Sequence, residues 1–200
     1  MSEQEPQGDL GQQEKASPRG RRSSRTVLLM VLVAMVPTLG VTAAIARYGV
    51  RSYVVPARAT GAKEMVGTIS RSLSAAYERN ETLCGPGSPV PATVPAGEAY
   101  MPSLAAGEDF QKGSATEGWP CIKFATAGPI YYQYEVRIGG NYKSVARGGY
   151  DPGPDGVEVS AEGDLDGDGR TSLIAFIGQL RATTKTIGRS AELYIVDEYE

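Results

Sequence analysis

From Thr26 to Ala46 the chain reads TVLLMVLVAMVPTLGVTAAIA, 21 consecutive residues without a charge. At 1.5 Å of rise per residue such a helix is about 31 Å long, close to the hydrocarbon thickness of a bilayer. Pro37 and Gly40 would be costly in an isolated soluble helix but are tolerated in a spanning one. Burying this helix in a water-soluble core would need a much larger protein around it. The segment therefore reads as a transmembrane helix. A cleaved signal peptide is the alternative, with Thr42–Ala46 supplying small residues for a cleavage site.

The flanks suggest an orientation. Lys15, Arg19, Arg21, Arg22 and Arg25 lie within 15 residues on the N-terminal side, against Arg47, Arg51 and Arg58 on the other. Five cations against three favour a cytoplasmic N-terminus and an exported C-terminal part. The two cysteines, Cys84 and Cys121, then fall in an oxidising compartment and are expected to form one structural disulfide. Two unrelated buried thiols are the competing assignment.

Composition removes many functions. A net charge of -3 gives no basic face for nucleic acid. With 0 histidines, a Ser-His-Asp triad, a Cys-His dyad and the common zinc sites are all out of reach. Asp197, Glu198 and Glu200 crowd the C-terminus and read as a solvated tail. The expectation is a protein that is not an enzyme.

Residues 1–25 are polar, lack apolar periodicity and read as a disordered cytoplasmic tail. Beyond the span, Met65, Val66, Ile69, Leu73, Ala76 and Tyr77 recur at three- and four-residue intervals. They predict an amphipathic helix over about 59–80, with Lys63, Glu64, Arg71 and Glu78 mostly on its wet side and a kink or break at Pro56. Residues 81–129 form a Pro/Gly-rich connector without long regular elements. Strands are expected at 130–138, 142–146, 157–162, 172–178 and 192–199. The fold class is thus α+β. A long N-terminal helix, half transmembrane and half soluble, packs on a small antiparallel sheet over 130–200, and the whole of 47–200 forms the exported domain. The disulfide is expected to tie the connector to the start of the sheet. Tyr131, Tyr132 and Tyr134 read as strand packing in preference to a binding face.

Between the third and fourth of these strands runs GDLDGDGRTS. Asp164, Asp166 and Asp168 occupy positions 1, 3 and 5 of a DxDxDG calcium loop, and Gly169 supplies the sharp turn at position 6. The Arg170 carbonyl and Ser172 would complete positions 7 and 9. Calcium suits the set because it is a hard ion that takes six or more oxygens. Position 12 is Ala175 where a bidentate carboxylate is wanted, so a weak Ca2+ site is expected, with Glu162 as a substitute ligand. The alternative is a bare hairpin turn, since Asp-Gly occurs twice here.

The order of elements resembles the type IV pilin and type II secretion pseudopilin superfamily, closest to its myxobacterial members. A basic leader, RGRRSSR, precedes an apolar helix, and GAKEMVGTI followed by SAAYE stands where the pilin helix carries Glu-Ala-Lys and Ala-Tyr-Tyr. VPAG with a following Tyr, GWPC, PIYYQYEV and a terminal hairpin containing GDLDGDG extend the match over nearly all of residues 20–200. The resemblance implies a pilin-like fold, filament or secretion-system subunits as partners, and processing at Thr26–Val27. That junction departs from the family pattern. It lacks the Gly at the cut and has Val31 near the place of the early glutamate, whose carboxylate is thought to neutralise a neighbouring subunit's N-terminus. A solitary membrane-anchored binding or sensor module is the other functional expectation.

Overall fold

The structure, a computed structural model, describes residues 24–189 and 192–200. The tail expected at 1–25 lies outside it as far as residue 23. The chain divides into two compact units, Met1–Arg47 and Tyr48–Glu200.

In the first unit α1 (Ser24–Gly49) encloses the uncharged segment. Within it, Leu28–Ile45 has mean hydropathy 2.3 and none of it is buried, so this helix is long and apolar enough to cross a membrane. Thr38 and Thr42 would put two hydroxyls into that setting. Each instead donates back to a carbonyl one turn earlier, Ala34 and Thr38 respectively, so the helix satisfies them itself.

A π-helical turn at Val50–Val54 precedes α2 (Val55–Asn80). Pro56 falls in the first turn of α2, directly after that π-helical turn, and Val54 ahead of it keeps helical dihedrals, so the interruption expected at Pro56 is a change of helical hydrogen bonding just before it and not an end of helix. The expected helix therefore starts about four residues earlier. Its buried positions run Val55, Ala59, Ala62, Val66, Ile69, Leu73 and Ala76, alternating steps of four and three that keep one stripe against the sheet. Met65 and Lys63 are only half buried, while Glu64, Arg71 and Glu78 are exposed as the pattern required.

The sheet is antiparallel throughout, in the order β1-β2-β3-β4-β5, with β6 also on β4. Its strands are β1 (Gly87–Val90), β2 (Gln133–Ile138), β3 (Gly156–Gly163), β4 (Ser172–Arg181), β5 (Thr186–Arg189) and β6 (Tyr194–Val196). Tyr134 and Val136 pair with Ala161 and Val159, which pair in turn with Ile174 and Phe176. These six share the face that joins α2 in the core. Alternate residues, Gln133, Glu135 and Arg137 on β2 and Glu158, Ser160 and Glu162 on β3, fall on the opposite face.

Two strand expectations need correction, and the connector carries short elements of its own. Tyr142–Ala146 is not a strand but the one-turn helix α4 (Lys143–Ala146) with its N-cap, because a buried carboxylate waits for its N–H groups, as described below. The connector 81–129 carries β1, a 3-10 turn at Asp109–Gln111 and the short helix α3 (Gly118–Ile122). Proline within β1 is tolerated because that strand sits at the end of the sheet order. The C-terminal strand shrinks to three residues, and β5, unread in the sequence, precedes it.

Cys84 and Cys121 are joined, with Cα atoms 5.8 Å apart. Both lie inside the connector, so the bond closes the connector on itself instead of tying it to β2. Beside it Phe110, Trp119 and Phe124 stack edge to face, with Phe110 4.9 Å from the Trp119 ring. The Trp119 indole N–H donates to the Ser88 carbonyl of β1 at 2.9 Å. A loop of 37 residues is closed by the disulfide, which on chain-entropy grounds contributes about 4 kcal/mol. Reduction, or Cys84→Ser with Cys121→Ser, is expected to lower unfolding stability by that amount in a denaturant titration of the detergent-extracted chain.

Candidate functional site

The acidic loop is the hairpin connection between β3 and β4, closed by the Gly163–Ser172 pair. Asp164, Asp166 and Asp168 each place a carboxylate oxygen within 4.8 Å of the others. Only Asp164 is buried, at 5% exposure. Its carboxylate accepts the backbone N–H groups of Gly167 at 2.7 Å, Asp168 at 3.2 Å and Gly169 at 3.0 Å. Gly167 and Gly169 hold left-handed φ values of 74° and 91°, which bend these N–H groups inward. Asp168 accepts the Arg170 N–H at 2.8 Å, and the Asp164 carbonyl takes Gly97 N–H from the connector at 2.7 Å. The loop is thus organised around Asp164 by its own backbone donors.

Two further residues expected at a calcium site are engaged elsewhere. The Ser172 hydroxyl is buried and donates to the Gly163 carbonyl at 3.1 Å. Glu162 faces away along the strand alternation and belongs to an ionic network that sequence reasoning missed. What remains to hold a hard cation is the trio of aspartates with nearby carbonyls. Ala175, at position 12, is fully buried in β4 and adds no oxygen.

The network occupies the polar face of β2 and β3. Lys143 Nζ lies 2.8 Å from Glu162, 3.2 Å from Glu135 and 2.8 Å from the Gln133 side-chain carbonyl. Arg137 pairs with Glu135 at 3.0 Å and Arg147 with Glu162 at 2.6 Å. Glu158, with no exposed surface, accepts the N–H groups of Lys143 and Ser144 at 2.8 Å each, and the Ser144 hydroxyl also donates to it. Those two N–H groups are among the first donors of α4, which no intrahelical carbonyl can satisfy. Ser144 is itself fully buried, so its contact with Glu158 is beyond the reach of a substrate. The signal available in the sequence was the every-second-residue run of Glu135 and Arg137 facing Glu158 and Glu162. The element that covers it could not be read.

Burial would raise the Glu162 carboxyl, but hydrogen bonds from Lys143 and Thr171, with the charges of Lys143 and Arg147, outweigh it and hold the group below its ordinary 4.5.

A shallow apolar groove of about 510 Å³ runs along the start of α2, walled by Tyr53, Ala57, Gly61 and Met65 on one side and Pro129 and Tyr131 on the other. Tyr132 and Tyr134 are buried as expected, Tyr134 within β2 and Tyr132 just ahead of it. Tyr131 is only half buried, and the Arg58 guanidinium sits 3.8 Å above its ring. Of the junction expected to be processed, Thr26 and Val27 lie within α1, and their side chains fall outside the description.

No family model, curated protein or solved structure matches this chain.

Two outcomes follow from this geometry. Asp164→Ala removes the acceptor shared by three backbone N–H groups and is expected to cost about 1–3 kcal/mol in a denaturant titration, while Asp166→Ala, at an exposed side chain, costs less than about 1. Because the folded-state pKa of Glu162 is depressed, its contribution is present above the ordinary carboxyl range and is lost as pH falls below 4.5. Stability measured from pH 7 to 3 should therefore fall less steeply in Glu162→Gln than in the native chain.

Proposed function

We propose that this chain is a single-pass inner-membrane protein, N-terminus cytoplasmic, that holds a pilin-like domain in the periplasm as a structural or assembly subunit of a type IV pilus or type II secretion-like system. What supports this most is one stretch of chain: a helix apolar enough to span, followed by an amphipathic helix whose stripe from Val55 to Ala76 is laid on an antiparallel sheet. Such an arrangement displays a rigid domain at a membrane and asks no chemistry of it. The role proposed is non-catalytic and takes no nucleic acid. Inner membrane and other filament subunits are the partners.

The acidic loop is proposed to add a weak calcium site on Asp164, Asp166 and Asp168. The loop is already folded around Asp164, so the ion would stiffen it without being required for folding. At ten times its dissociation constant the stabilisation is about 1.4 kcal/mol, read as a rise in melting temperature that Asp166→Asn with Asp168→Asn removes. An unchanged melting temperature at millimolar calcium leaves a bare turn.

A solitary membrane-anchored binding or sensor module is the second reading. It is favoured by Val31 near the place of the early pilin glutamate and by the ligand-sized groove beside Tyr131. Two measurements separate the readings. N-terminal sequencing of membrane-extracted protein is expected to show a new terminus near Val27, and filament subunits are expected to co-purify. An intact residue 1–25 tail without such partners sinks the filament role.

A further inference from the structure

The last turn of α2 and the residues after it read Glu78-Arg79-Asn80-Glu81-Thr82. Asn80 and Thr82 with a non-proline residue between them make an N-x-[ST] acceptor. The chain has only two asparagines, Asn80 and Asn141, and the second, followed by Tyr-Lys, makes no such triplet.

Capping does not account for Asn80. An asparagine at a helix C-terminus is normally the residue that turns left-handed. Here that conformation falls on Glu81, at φ 58°, a position that favours Gly or Asn over a glutamate. Asn80 stays helical one residue too early to serve. Among the described residues its side-chain amide has one partner, a loose 3.9 Å contact to Cys121 Sγ.

Its surroundings suit modification. Glu78, Arg79, Asn80, Glu81 and Thr82 are all exposed. The Glu81 N–H makes the final helical bond, to the Tyr77 carbonyl, so the chain leaves the helix within the triplet and extends toward Cys84. The Thr82 hydroxyl is 3.4 Å from the Asn80 carbonyl, which brings the triplet's hydroxyl back beside its asparagine. Helix ends fray, so an enzyme can draw this triplet out without disturbing the buried stripe that ends at Tyr77.

We propose that Asn80 is an N-glycosylation site, modified from a lipid-linked oligosaccharide pyrophosphate. The Asn80 amide nitrogen attacks the anomeric carbon, forming the N–C bond as the C–O bond to pyrophosphate breaks. The lipid pyrophosphate leaves, and a base of the transferase takes the amide proton. The inference rests on the proposed export of the domain, since donor and transferase act on the exported side.

The test is mass spectrometry of tryptic peptides from the full chain, extracted from its own membranes without reduction. Cleavage after Arg79, Lys112 and Lys123 leaves one disulfide-linked species that joins residues 80–112, with Asn80 and Cys84, to residues 113–123, with Cys121. It is expected to carry a sugar mass that Asn80→Gln and Thr82→Ala abolish and Thr82→Ser retains. Loss of the mass in Glu78→Ala, with folding unchanged, would add the acidic residue to what the transferase reads. A bare Asn80 on a disulfide-closed peptide overturns the inference while leaving export standing. A bare Asn80 with Cys84 and Cys121 as free thiols overturns both.

Discussion

The register of β3 is the constraint on which the domain depends. Pairing Val159 with Val136 on one side and Phe176 on the other sends Val157, Val159 and Ala161 to α2. The same register sends Glu158, Ser160 and Glu162 to the far face. A slip of one residue would exchange these sets, burying two carboxylates against an apolar helix and exposing the valines. Neither face tolerates that exchange, because both are covered. The far face holds a fully buried Glu158 with three donors and a Glu162 clamped between Lys143 and Arg147. Removing Glu158 leaves two N–H groups of α4 and the buried Ser144 hydroxyl without their acceptor, which is the costly direction for buried polar groups.

Local pattern made the two faces legible, but not the cover on the second one. The helix stripe and the strands at 157–162 and 172–178 follow from periods of 3.6 and 2 that each carries within itself. Tyr142–Ala146 looked equally strand-like, with Tyr and Val among its residues. Its state is decided by Glu158, fifteen residues away, whose carboxylate satisfies the N–H groups that a one-turn helix leaves bare. No window of sequence contains that interaction. Glu162 was misplaced for a related reason. Its nearness to the aspartates along the chain suggested a calcium ligand, yet strand alternation turns Glu162 to the face where Lys143 lies. The connector resisted reading because its order comes from Phe110, Trp119, Phe124 and the disulfide, not from regular hydrogen bonding.

The same division explains why the acidic loop can be short. Between Gly163 and Ser172 the chain must reverse while β3 and β4 stay in register. Three backbone N–H groups converge on Asp164, and two left-handed glycines permit them to do so. Gly163 itself has no room for a side chain, because a Cβ there would meet the Tyr132 ring at 2.7 Å. The turn is therefore fixed from within, by Asp164, and from below, by Tyr132. Asp168 adds one bond to the turn, from the Arg170 N–H, and two exposed carboxylates beside a third raise mutual repulsion that a plain reversal does not require.

Small residues shape the start of α2 in a similar way. Deeper along the stripe, Val66, Ile69 and Leu73 fill the space to the sheet. Nearer the beginning, Ala59 and Ala62 take that role and Gly61 leaves open space where a Cβ would stand. The apolar surface of α2 thus continues past the point where side chains are large enough to close the gap, and the groove beside Tyr131 is the remainder. A glycine in mid-helix costs about 1 kcal/mol relative to alanine. Packing gives no reason for that cost, because among the described residues nothing lies within 4 Å of a Cβ built on Gly61. The recess is therefore a property of these residue choices and not of the backbone path, and enlarging Gly61 would close it without a clash.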